Sequence, residues 1–142
     1  MSTVNPFFEV FSTPHDSIPF DKISHEHFLP ALEHGIAIAK KEIEAIKKCE
    51  KADFISVIEA LEKSGKLLGT VSGAFFNLNS AETNDELQAI AGDFSGKISA
   101  FSSEINTDEI LFDQIKKTKE TTDLNSLSTE EKTLLEKTFN RF

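Results

Sequence analysis

The chain has 142 residues, 39% of them hydrophobic and 27% charged, with a formal net charge of -9. That is the make-up of an ordinary globular protein long enough to bury a core. The negative charge excludes partners read through clustered Lys and Arg, namely nucleic acid and anionic membrane surfaces. Thirteen Phe stand beside no Trp and no Tyr, so the aromatic bulk has no polar handle and is expected in a core.

Residues 1–25 read as an extended arm. Pro6, Pro14 and Pro19 recur with Phe7, Phe8, Phe11 and Phe20 between them, and each Pro disfavours helix at the residue before it. The arm is therefore expected to lie over something, with its Phe side chains as anchors. The opening stretch Met1 to Pro6 has neither a basic segment nor a long apolar run. No segment approaches the ~18 apolar residues of a spanning helix. One cysteine, Cys49, leaves no internal disulfide, which fits a reducing compartment. The expected location is cytoplasmic.

Residues 26–142 read as helical. The first helix is expected from about Glu26 to Cys49, with Pro30 in its first turn and an apolar stripe of Phe28, Leu32, Ile36, Ala39, Ile43 and Ile46. Asp53 caps a second, whose stripe is Phe54, Ile58, Leu61, Leu68, Val71, Phe75 and Leu78. Thr83-Asn-Asp-Glu86 is a capping box and opens a third helix with Leu87, Ile90, Phe94, Ile98, Phe101 and Ile105 inward. Asn106-Thr-Asp-Glu109 starts a shorter fourth, with Ile110, Leu111 and Ile115 inward. Ser128-Thr-Glu-Glu131 is a second capping box, and Leu134, Leu135, Thr138, Phe139 and Phe142 follow it at helical spacing. No stop signal follows that run, so this helix is expected to continue past Phe142. With no period-2 alternation of useful length, the fold class is all-α: antiparallel helical hairpins or a bundle of about five helices behind the arm.

Four features could carry chemistry. His25, Glu26, His27 and His34 cluster at the start of the first helix, but the His-Glu-x-x-His spacing of a zinc helix fails, because Leu29 and Ala31 stand where the second His would be. Helix-start hydrogen bonds are the expected use. Cys49 lies near a helix C-terminus, where the dipole does not favour a thiolate, although Lys47, Lys48 and Lys51 partly offset it; a helix-end thiol is the expectation. Gly65, Gly69 and Gly73 share a face at a cost of about 1 kcal/mol each, for which close approach of another helix is the favoured reason and a loosened helix the alternative. Asn77, Asn79, Ser80, Glu82 and Asn84 sit at the junction of the second and third helices. Either they satisfy the loose helix ends, or they form a polar patch facing a ligand channel. No catalytic residue and no metal ligand is identified.

A series of phrases runs in order along the chain: Asn5-Pro-Phe-Phe8, Thr13-Pro-His15, Pro19-Phe-Asp-Lys-Ile23, His27-Phe-Leu-Pro-Ala31, Ile58-Glu-Ala-Leu-Glu62, Ser64-Gly65, Phe75-Phe-Asn-Leu-Asn-Ser-Ala-Glu-Thr-Asn-Asp-Glu-Leu-Gln88 and Leu134-Leu-Glu-Lys137. The series resembles the amino-terminal region of the thimet-oligopeptidase-like zinc peptidases, and within them the peptidyl-dipeptidase branch more than oligopeptidase A, chiefly through Thr83 to Gln88. One departure is the link Cys49-Glu-Lys-Ala-Asp53, which looks shorter and lacks a Pro.

The resemblance implies an almost wholly helical zinc enzyme that hydrolyses short peptides in a deep channel. The zinc ligands would lie outside this segment, which would itself hold no cofactor, shape substrate access and do no chemistry. Its partners would be short peptides, through the full-length enzyme, and the remainder of its own chain. Asn77, Asn79, Ser80 and Glu82 become possible channel-lining residues. The competing expectation is a free-standing helical interaction module without catalytic activity.

Overall fold

A computed structural model describes residues 4–82 and 84–142. Residues 4–27 form four single 3-10 turns, Pro6–Phe8, Pro14–Asp16, Phe20–Lys22 and His25–His27, joined by extended residues. The helices are α1 (Phe28–Lys47), α2 (Ala60–Lys63, entered through a π-helical stretch Phe54–Glu59), α3 (Lys66–Ala81), α4 (Asp85–Asn106), α5 (Glu109–Thr121) and α6 (Thr129–Arg141). Among the described residues there is no strand, and the fold is all-α. The chain divides into two compact units. One takes the stretch through Ile38 together with Gly65–Ile98, and the other takes Ala39–Ser64 with Ser99–Phe142.

The first unit is built on phenylalanine. Phe7, Phe28, Phe75 and Phe94 are buried with Leu32, Val71, Ala74 and Leu87. Phe28 meets Phe7 at 5.5 Å between ring centroids and Phe75 edge-on at 5.4 Å, and Phe75 stacks on Phe94 at 4.1 Å. The tilted and edge-on contacts of Phe28 suit the ring quadrupoles. Within this unit, His25 pairs with Glu86 and Glu33 with Lys97, so the two sequences ascend together and α1 and α4 lie parallel. Phe7 anchors the arm at 3% exposure and Phe11 packs half-buried against the same core, whereas Phe8 and Phe20 remain 46% exposed. The expectation of Phe anchors is corrected for Phe8 and Phe20: Phe8 only lies against the His34 ring, at 4.7 Å, because single 3-10 turns cannot aim successive side chains at one core.

The second unit is built on branched aliphatics. Ile43, Ile46, Val57, Ile58, Ile105, Leu111, Ile115 and Leu135 are buried with Phe54. α5 and α6 form an antiparallel hairpin, since Phe112 meets Phe139 while Lys119 pairs with Glu136. Ser128 and Glu131 make the reciprocal capping box that begins α6. On α5 the inward face is Leu111, Gln114, Ile115 and Thr118. Ile110, expected inward, is 58% exposed, because at ~100° per residue only one of two adjacent positions can centre on that face.

The second expected helix is two helices. Ser64 turns extended, its hydroxyl donates to the Leu61 carbonyl at 2.6 Å, and Gly65 takes a left-handed conformation at φ 70°. That is the ordinary glycine stop, open to Gly because it has no Cβ. The single apolar stripe read from the sequence therefore serves two cores: Phe54, Ile58 and Leu61 enter the aliphatic one, and Val71 and Phe75 the aromatic one.

The expected close approach at Gly69 and Gly73 is also corrected. A Cβ at either would meet nothing within 4 Å. The glycine that admits a neighbouring backbone is Gly35 of α1, where a Cβ would lie 3.0 Å from the Leu68 amide nitrogen.

Candidate functional site

The open glycines of α3 form the floor of a groove. Lys66, Gly69, Thr70, Gly73 and Asn77 line it from the helix, and Val10, Phe11, Asp16 and Ile18 line it from the arm, around a volume of ≈ 580 Å³. The arm is held over α3 by burial of Phe7 and by the Asn5 side-chain amide donating to the His27 carbonyl at 2.8 Å. His15 and Asp16 beside the groove adopt φ 60° and 52°, a left-handed conformation that costs non-glycine residues energy. Thr70 turns its hydroxyl to the Lys66 carbonyl at 3.0 Å, leaving the charged groups of Lys66 and Asp16 and the amide of Asn77 as the groove's polar functions.

The four possible channel-lining residues do not form one patch. Asn77 lines the groove. Ser80, three residues on and exposed, falls on the same side of α3. Asn79 is partly buried and, two residues from Asn77, lies about 200° round the helix. Glu82 is exposed past the helix end, its backbone N–H donating to the Leu78 carbonyl at 2.8 Å. Of the junction residues, Asn84 closes a helix end, since its side-chain oxygen accepts from the Leu87 N–H at 2.9 Å and caps α4. The expected cap Thr83 lies outside the described residues. Glu86, the other residue of that box, pairs with His25.

The remaining candidates resolve into helix-end chemistry. His27 accepts the Ser24 N–H at 2.9 Å in a reciprocal cap ahead of α1. The Cys49 thiol donates to the Lys51 carbonyl at 3.1 Å. In the second unit, a groove lined by Asp53, Asp123 and Glu131 is acidic because each carboxylate accepts a backbone N–H at the start of a helix or turn, from Ser56, Asn125 and Ser128 respectively. The N–H of Ser56 first, and then Lys51, hold the Asp53 carboxyl down to about 2. Burial pushes Asp108 up, but the hydrogen bond from Lys47 and the N–H of Leu111 outweigh it and leave it below the carboxylate range. Lys47 is correspondingly raised, by its hydrogen bonds to Asp108 and Glu44. Among the described residues there is no group of three His, Cys, Asp or Glu placed to hold a metal ion. No helix among the described residues is long and apolar enough to cross a membrane.

Two determinants escaped the sequence reading. Gln114, 9% exposed, donates to the Lys47 carbonyl at 3.0 Å and the Cys49 carbonyl at 2.9 Å, satisfying the end of α1. A polar residue on an apolar stripe was its signal. Gly35 had none, because a lone glycine inside a helical pattern does not say what approaches it.

These features define a helical, acidic chain whose candidate polar residues largely serve helix ends and a groove beside α3. No family model matches the chain. Over 116 residues, 81% of its length, it is 39% identical to a dipeptidyl carboxypeptidase of Salmonella typhimurium and 36% identical to that of Escherichia coli. It is 25% identical over 132 residues, 93% of its length, to a probable cytosolic oligopeptidase A of Arabidopsis thaliana. The chain spans 17% of the length of the two bacterial relatives and 18% of the plant one. The resemblance carried by the phrases from Asn5 to Lys137 is thus shown: the chain is related to these peptidases, and more similar to the dipeptidyl carboxypeptidases than to oligopeptidase A.

Proposed function

We propose that this chain is a helical segment of a zinc-dependent peptidase acting on short peptides in the cytoplasm, and that it shapes access to the substrate channel without breaking bonds itself. The observation that carries the reading is the 39% identity to a dipeptidyl carboxypeptidase over 81% of the chain. The groove over Gly69 and Gly73 supports it, because an open face with Asn77 and Lys66 at its edge offers hydrogen bonds to an extended backbone. The zinc of this reading would be held by residues outside this segment, and the remainder of the protein would be the segment's main partner.

The test is made in the full-length enzyme. Asn77→Ala and Ser80→Ala remove polar groups from exposed helix positions, so Tm should hold. Loss of one substrate hydrogen bond worth about 0.5–1.5 kcal/mol would lower kcat/KM roughly two- to tenfold. An unchanged kcat/KM for both variants overturns the channel-lining role. For the 142-residue chain by itself, peptide hydrolysis with added zinc is expected to read zero, and clear turnover would overturn the division of labour.

A further inference from the structure

We draw no further inference here: the strongest candidate, the apolar groove between the N-terminal arm and the Gly69 and Gly73 face of α3, is an unpartnered surface, and nothing in the structure shows what covers it.

Discussion

The unit containing α3 fills its centre with stacked phenylalanine rings, while the unit containing α5 and α6 fills its centre with Ile, Leu and Val and admits two polar side chains, Gln114 and Thr118. Rings without a polar group bury large area but cannot satisfy a backbone. The first unit accordingly meets its helix ends with local caps such as His27 and Asn84. The second brings Gln114 from a helix 65 residues away in sequence to close the end of α1. An aromatic core leaves the polar accounting to the surface, whereas an aliphatic core of smaller side chains can take a polar staple inside, provided every atom of it is bonded.

The largest effect should come from the ring stack. Phe75→Ala removes a fully buried side chain that contacts Phe28 and Phe94; a loss of about 3–5 kcal/mol is expected in urea unfolding. If Phe75→Leu costs as much, ring geometry rather than volume holds that unit.

Next is the staple. Gln114→Ala strands the carbonyls of Lys47 and Cys49, and about 1–3 kcal/mol should be lost. Hydrogen exchange should report the loss in α5 and the end of α1 while the amides of α3 stay protected. Equal loosening of both units would break the contrast drawn between them.

The glycines give a smaller and opposite pair of effects. Gly69→Ala and Gly73→Ala meet open space and should each stabilise by up to about 1 kcal/mol through helix propensity. Gly35→Ala presses on the Leu68 backbone and should lower Tm despite the same propensity gain. A rise in Tm for Gly35→Ala would show that α3 can give way there.

The smallest effect is acidic. Asp53 titrates at about 2 against an ordinary 3.8, and Asp108 is also lowered. A depressed carboxyl contributes stability that is full above its unfolded value and lost as pH falls through the folded one. Stability should therefore decline from about pH 4 towards about pH 2, most visibly in the second unit, where both residues lie. A carboxyl NMR titration placing Asp53 near its ordinary 3.8 would remove its share.

The helical class, the inward stripes of α1 and α4, the caps at Asp53 and Ser128 and the start of α5 within Asn106 to Glu109 were legible in the sequence, though that the cap there is Asp108 was not. Each depends on residues three or four apart, which a helix brings together by itself. The peptidase resemblance was legible for a different reason: ordered phrases survive in the chain whatever they do. The break at Gly65 was open to reading, since Ser-Gly within a helical run is a stop signal, but the stripe on both sides hid it by staying in phase.

Among the channel-lining candidates, only the positions of Asn77 and Ser80 on one side of α3 were implicit in their spacing. That the arm's Val10 and Ile18 wall the same groove was not, because no local rule says where a Pro-interrupted segment will lie. The sequence alone determined that these residues become helices, which faces of them are apolar and which peptidases they resemble. Only the tertiary structure decided that one stripe divides between two cores, that Gly35 rather than Gly69 admits a neighbouring backbone, and that Gln114 closes α1. Those outcomes join residues tens of positions apart, and their energy comes from atoms that meet only after the chain has folded.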